Sequence, residues 1–406
     1  MKTNDPTWQD MVPLEELLGY QLERINEQAS ELAGSTEFFS GIKRFLPLRS
    51  FAEFEALPFM SAEDILRSGT DLVCVPQRAV TRIVSLASSG TNHVKRIYFT
   101  ESDLSRTLKF FSEGMSQMCQ KGDSAAIFLP GNSENGVSDL LKRSLEYIGV
   151  RAYIYGAVVD WREAGKFLRE FSPHTVIGPP ACIRRLALEN PDSSPVNALL
   201  SADYLPKAVK ESIRRIWGCE VFEHYGLTES CYGFSVDCTA HSGMHIRNDE
   251  FYVEITDPVS GAVLPPGREG IITFTTLRRE AMPLLRYRTG DIGMISPKEC
   301  PCGLLQPRLE YVRGRAEVLS RYPNIYELDE AVFSIDSVLD YEASFYNGTL
   351  TVSPVIVSGH DAGPATEAIR RKYPDIDVII KPCSNLSAVR GAKRAIILAG
   401  QIGGAE

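Results

Sequence analysis

Apolar positions in the first fifty residues recur at three- and four-residue spacings. Leu14, Leu17, Leu18, Leu22 and Ile25 fall on one face, so residues 13–49 read as amphipathic helix within a helical cap region, 1–80. From Arg82 the texture changes to short apolar runs separated by helical periods: 124–129 (SAAIFL), 151–155 (RAYIY), 175–178 (TVIG) and 220–223. Strand and helix in alternation predict an α/β layer with parallel strands. One intervening helix carries Leu104, Leu108, Phe111, Met115 and Met118 on a single face, with Thr100 or Ser102 as its N-cap. After Gly243 the pattern becomes strand, turn, strand: 251–256 (FYVEIT), a Pro- and Gly-rich turn over 257–267, and 270–277 (GIITFTTL). This predicts a smaller antiparallel β region.

Beyond Arg315 the chain shows fresh strand signals at 349–357 and 377–380 and is long enough for a separate small domain. The predicted fold is α/β: a large domain over 1–315 with parallel or mixed sheets and a β segment at 236–310, then a small mobile α+β domain over 316–406. The total of 406 residues suits two to four domains.

Composition narrows the function classes. With 43 Lys plus Arg against 52 Asp plus Glu, the net charge of -9 gives no general attraction to phosphate polymers or anionic lipid, so neither nucleic acid nor membrane is expected as a partner. No apolar run of membrane-spanning length occurs, and residues 1–13 are polar and acidic where a secretory signal needs a basic start and an apolar stretch. A cytoplasmic location is the expectation. Nine cysteines spread over this length do not suggest a secreted disulfide framework. Cys74, Cys119, Cys182, Cys219 and Cys383 sit among apolar neighbours as core thiols.

Candidate chemistry collects in three places. Ser88, Ser89, Gly90 and Thr91 lie between two strand-like runs and are followed by His93, Lys95 and Arg96. Backbone N–H groups, hydroxyls and a cation can cradle a phosphate there, and a polar hairpin turn fits the same residues. The spacings of a P-loop or a dinucleotide-binding glycine motif are absent. Further on come Glu223-His224-Tyr225-Gly226-Leu227-Thr228-Glu229 and Arg286-Tyr287-Arg288-Thr289-Gly290-Asp291. A carboxylate such as Glu229 can hold a hard cation, and Asp291 can accept from two vicinal hydroxyls. Third, Cys238, His241, His245, Cys300 and Cys302 combine soft thiolates with imidazole, the donors zinc prefers.

In their order along the chain, the hydroxyl-rich loop, the Tyr-Gly-x-Thr-Glu stretch and the Arg-Thr-Gly-Asp stretch resemble the adenylate-forming superfamily of acyl-CoA synthetases. Residues 280–291 (EAMPLLRYRTGD) and Cys300-Pro301-Cys302-Gly303 are similar to its phenylacetate-CoA ligase branch, with the likeness spanning roughly 83–317. The resemblance implies a nucleotide site of Ser88, Ser89, Gly90, Thr91, Lys95, His224, Tyr225, Gly226, Asp291 and Arg315. In it Tyr225 lies near adenine, Thr228 at the α-phosphate, Glu229 on magnesium, Asp291 at the ribose hydroxyls and Arg315 on the ribose-phosphate side. Ser201, Ala202 and Asp203 would present backbone to the adenine edge. Because a closed structural zinc site needs four ligands and the branch shows a similar grouping, Cys238, His245, Cys300 and Cys302 are chosen, with His241 in reserve. Such an ion would be structural, because no position is left for water.

Three departures stand against the family pattern. His93 takes the place of a second loop glycine, only residues 318–323 stand where a longer Gly-rich loop is usual, and the ending 390–397 (RGAKRAII) puts Gly391 at the lysine position, which leaves Lys393 as the catalytic cation. Glu317 falls at the family's acidic hinge. The activity implied is ATP- and magnesium-dependent activation of a carboxylic acid, aryl or arylacetic by branch, to an acyl-adenylate with release of pyrophosphate. Transfer to a thiol, CoA by expectation, follows, and a homodimer is possible. The alternatives are a same-fold ligase with an amine or carrier-protein acceptor, a nucleotidyl transferase that leaves AMP on its product, and a nucleotide-binding relative without catalysis.

Overall fold

The computed structural model describes residues 13–87, 94–384, 386 and 394–398. The fold is mixed α/β, with a large sheet system and a smaller four-stranded sheet near the C-terminus. The chain divides into two compact units: Met1–Gln117 with His224–Ala316, and Met118–Glu223 with Glu317–Glu406.

In the first unit, the amphipathic stretch becomes a helix over Leu14–Leu32, followed by 3-10 turns over Glu37–Phe45. The single helix expected to reach residue 49 therefore stops early, at Leu32 with Ala33 as C-cap, just ahead of Gly34, whose backbone freedom disfavours continuation. Its apolar face is buried through Leu17, Ile25, Ala29 and Leu32. Strands Arg82–Ala87 and Val94–Phe99 pair antiparallel, with Leu86 opposite Lys95. Helix Glu101–Met115 starts in a capping box made by Thr100 and Asp103, which settles the N-cap on Thr100. Asp103 also accepts from the backbone N–H of Glu280 (3.0 Å) and Ala281 (3.2 Å), tying this helix to the loop ahead of the Arg-Thr-Gly-Asp strand. The β region is antiparallel in the order Val263–Leu264, Phe251–Thr256, Gly270–Thr276, Tyr287–Ile295, Arg308–Arg315, Met244–Ile246 and Ser235–Asp237.

The second unit holds the parallel layer. Strands Ser124–Ile127, Arg151–Ile154, Thr175–Gly178, Asn197–Leu200 and the start of Glu220–Tyr225 pair in parallel, joined by helical crossovers. The first of these ends before the apolar run does, because Pro130 cannot continue the ladder. Both faces of the layer are covered, so the strands read as unbroken apolar runs. After Glu317 come helix Ile325–Phe333 and the small sheet, ordered Asp377–Ile380, Thr349–Ile356, Val338–Tyr346, Ile396–Leu398. Ile183, Leu186, Val209 and Ile213 of the earlier segment share one buried cluster with Ile325, Leu328, Val332 and Phe333 of the later one. Among the described residues no helix is long and apolar enough to cross a membrane.

Candidate active site

The motif residues meet in the first unit through the ends of two strands. Strand Glu220–Tyr225 delivers Tyr225, and the chain then turns tightly through Gly226 to Gly233. Ser230 fixes that turn by accepting from the backbone N–H of Leu227 (3.1 Å) and donating to its carbonyl (2.9 Å). The N–H of Tyr232 donates to the same carbonyl at 2.8 Å. A side chain at Gly226 would meet the Tyr232 carbonyl oxygen at 1.9 Å, so only glycine closes the turn. Cys231 and Tyr232 both adopt positive φ, 55° and 69°, a conformation costly for bulky residues and found most often where geometry serves a site. The outcome is that Glu229 is buried at 3% exposure while Thr228 stays partly open.

Strand Tyr287–Ile295 faces this turn with its buried alternate residues Tyr287, Thr289 and Asp291. The Asp291 carboxylate accepts from the Tyr225 hydroxyl (2.7 Å) on one oxygen and from Arg315 Nε (3.0 Å) on the other. Burial, and after it the charge of Asp291, holds Tyr225 well above the ordinary tyrosine range, so it remains a donor. Arg315 also donates to the Thr289 carbonyl at 2.7 Å, and the Thr289 hydroxyl both donates to the Ile272 carbonyl and accepts from the Asp291 N–H. Gly290, at φ 81°, lies where the pairing register shifts between Arg288 and Ile292.

Close by in the same unit, Glu229 is held by two donors. The Lys95 ammonium and the Tyr287 hydroxyl (2.8 Å) both meet its Oε1. Burial raises the Glu229 pKa, but the Lys95 charge and the two hydrogen bonds outweigh it, so the carboxyl sits below its ordinary value. Burial alone lowers His224 to about 4, keeping its imidazole neutral; the ring packs against Phe110 and Phe111.

The sulfur–imidazole group assembles from separate segments of the unit. Cys238 follows strand Ser235–Asp237, His245 lies in Met244–Ile246, and Cys300 and Cys302 come from the loop ahead of Arg308–Arg315. Their four ligand atoms lie within 4.8 Å of one another. Cys238 Sγ is 3.6 Å from Cys300 Sγ, and Cys302 Sγ is 3.3 Å from His245 Nε2. A tetrahedral ion with bonds of about 2.3 Å to sulfur sets ligand edges of about 3.5–3.8 Å; these two pairs lie near that edge, the full set spreads wider, and the donors suit zinc in number and kind. Burial and Arg308 lower His245 to about 4, which leaves the neutral imidazole a metal needs. His241, the reserve ligand, instead has Nδ1 2.7 Å from an Asp237 carboxylate oxygen.

Other expected residues lie elsewhere. Ser201, Ala202 and Asp203 belong to the second unit, just past strand Asn197–Leu200; Ala202 has φ 73°, and Asp203 accepts from the N–H of Tyr204 (2.9 Å) and of Arg394 (3.4 Å). Ser88, Ser89, Gly90, Thr91 and His93 lie outside the described residues, as does Lys393. Tyr287 is a contact residue that the sequence reading quoted but gave no role. The signal lay in its alternation with Thr289 and Asp291 along one strand.

A family model described as "AMP-binding enzyme" matches residues 146–276. A phenylacetate-coenzyme A ligase of Thermus thermophilus is 26% identical over 362 residues, covering 82% of this chain and 78% of the relative. One from Pseudomonas putida is 31% identical over 202 residues, 46% of this chain and 45% of its own length. Among solved structures, a 2-hydroxyisobutyryl-CoA ligase in the postadenylation state with 2-HIB-AMP superposes with a TM-score of 0.83 at 17% identity, covering 97% of this chain and 92% of the other. Fold, ordered motifs and these matches support an adenylate-forming enzyme fold for this chain. Within that class it is phenylacetate-CoA ligase-like.

Proposed function

We propose that the protein activates a carboxylic acid with ATP and passes the acyl group to CoA. The observation that carries this reading is the paired arrangement in the first unit: Asp291 with Tyr225 and Arg315, and Glu229 with Lys95 and Tyr287. The first trio presents a carboxylate suited to a vicinal diol, flanked by an aromatic ring and a guanidinium. The second presents a hard oxygen donor beside an ammonium, suited to a metal-complexed polyphosphate.

In the first half-reaction a substrate carboxylate oxygen bonds to the α-phosphorus and the bond to the bridging oxygen breaks, releasing pyrophosphate. In the second, the CoA sulfur bonds to the acyl carbon and AMP leaves. Neither step modifies a side chain. Thr228 donates to an α-phosphate oxygen, Asp291 accepts from the ribose, and Lys95 with Ser88, Ser89, Gly90 and Thr91 receives the departing phosphates. By the resemblance, Lys393 is assigned the charge that offsets the departing pyrophosphate, and Ser201, Ala202 and Asp203 are assigned to adenine. Bound magnesium, held through Glu229, would screen the triphosphate charge. These groups act by positioning and charge, which for phosphoryl chemistry is most of catalysis. Relatives acting on phenylacetate favour an aryl or arylacetic acid, and their names favour CoA over an amine or a carrier protein.

The Cys238, His245, Cys300 and Cys302 cluster is assigned to structural zinc. Metal analysis of purified protein should find about one zinc per chain, and Cys300→Ser should lose it and melt several degrees lower; a metal-free protein with unchanged melting removes the assignment.

The reaction is tested by pyrophosphate release with magnesium and ATP over aryl, arylacetic and short aliphatic acids, each with and without CoA. The expected result is release triggered by an arylacetic acid and accelerated by CoA. Silence across the panel, or an AMP-bearing product that CoA leaves intact, overturns it.

A further inference from the structure

The two donors on Glu229 differ in how tightly the fold holds them. Tyr287 is 1% exposed, with its ring edge-on to Phe274 at a centroid distance of 5.4 Å. Its backbone neighbours are fixed too: Met60 N–H donates to the Arg286 carbonyl (3.2 Å) and Arg288 N–H to the Met60 carbonyl (2.8 Å). The hydroxyl has one place to be, against Glu229 Oε1. Lys95, by contrast, reaches the same oxygen from strand Val94–Phe99 on four rotatable bonds, with its side chain 16% exposed. It can swing away without disturbing the strand.

Charge complementarity gives the second half of the argument. Glu229 is buried with the Lys95 ammonium against its Oε1, and a buried carboxylate separated from such a partner is costly. Lys95 supplies that charge on the very carboxylate suited to a hard divalent ion, while its own ammonium is suited to phosphate oxygens. An arriving metal-complexed nucleotide offers both partners at once: a divalent cation for Glu229 and anionic oxygens for Lys95. The exchange leaves every charged group in the pocket with an opposite partner.

We propose that Tyr287 is a positioning residue that holds the Glu229 carboxylate in place, and that Lys95 is a placeholder cation which a divalent metal replaces when the nucleotide binds. The proposal rests on the adenylation reading above and adds to it a residue and an order of events. Tyr287 stays, Lys95 transfers to phosphate, and the carboxylate is never left buried without a partner.

Two variants and a control test this on the full-length protein. Binding of manganese(II) to nucleotide-free protein is followed by the electron paramagnetic resonance of the free ion. Tyr287→Phe keeps the ring and should weaken manganese binding by about 10- to 100-fold, the range typical when a partner orienting a metal ligand is lost. In the pyrophosphate assay it should raise the magnesium concentration for half-activation while kcat at saturating magnesium stays near wild type. Lys95→Gln should tighten nucleotide-free manganese binding while weakening ATP binding. Glu229→Gln is the control and should weaken manganese binding. If Glu229→Gln weakens it but Tyr287→Phe or Lys95→Gln leaves it unchanged, the inference is overturned and the adenylation reading stands. If Glu229→Gln itself leaves both manganese binding and magnesium dependence unchanged, both are overturned.

Discussion

At the scale of single residues, the site is a set of charges and dipoles whose ionisation the fold has fixed. His224 shows the consequence for stability. Its pKa is about 4 in the folded protein, lowered by burial, against about 6.5 in an unfolded chain. The unfolded state therefore binds more protons between these values, and His224's contribution is complete above pH 6.5 and lost as pH falls toward 4. Between pH 7 and pH 5 the folded state should lose about 2 kcal/mol through this group. His224→Phe should flatten that part of the curve, read from urea midpoints at the two pH values; an unchanged slope would place the pH dependence elsewhere. Tyr225, Glu229 and Asp291 were legible as candidates, because hydroxyl and carboxylate groups stand beside glycine turns in both motifs. What the chain text did not reveal was the pairing: that the Tyr225 hydroxyl lands on Asp291 and that Tyr287 lands on Glu229. Those contacts join residues 66 and 58 positions apart, and no local spacing encodes them.

At the scale of elements, the turn after strand Glu220–Tyr225 does most to make the site. Gly226 permits the chain to pass under the Tyr232 carbonyl, and Ser230 closes the turn on Leu227. Gly226→Ala would force a Cβ into a 1.9 Å approach and displace Thr228 and Glu229 together. The expected result is a loss of about 1–3 kcal/mol of stability and a fall of about 100-fold in pyrophosphate release, the scale of a misplacement near 1 Å. Wild-type turnover in that variant would mean the turn does not position the reacting groups. Strand alternation and helix periodicity located most elements, and 251–256, 175–178 and 377–380 coincide with strands end to end. Ends set by tertiary packing were less legible. The run at 124–129 outlasts its strand, and the first helix breaks just ahead of Gly34 although apolar residues continue. Apolar periodicity records which side chains are buried, whereas hydrogen bonding and chain reversal decide where an element stops.

At the scale of the whole molecule, the segments of the second unit are bound by more than apolar contact. Arg184 is fully buried; it donates to the carbonyls of Val338 (2.7 Å) and Ile335 (3.0 Å) and lies 5.0 Å from the Phe333 ring centre. Burial lowers its pKa to about 10, so it stays charged at neutral pH and depends on those carbonyls. Arg184→Leu should cost about 2–5 kcal/mol by removing two charge-assisted hydrogen bonds to buried carbonyls, of which that of Ile335 keeps the Val338 N–H (3.1 Å), measured as a shift in the urea midpoint; a shift under about 0.5 kcal/mol, ordinary for a surface change, would mean that water replaces the guanidinium there. By itself, the sequence determined the class of fold, the order of the motifs and the donor types, because binary patterning, glycine placement and side-chain chemistry are local properties of the chain. Only the tertiary structure decided that four donors from three segments converge within 4.8 Å of one another, and which residues partner Asp291 and Glu229. Those are distances between strands brought together by burial, and a buried charge can be satisfied only by groups that the finished fold carries to it.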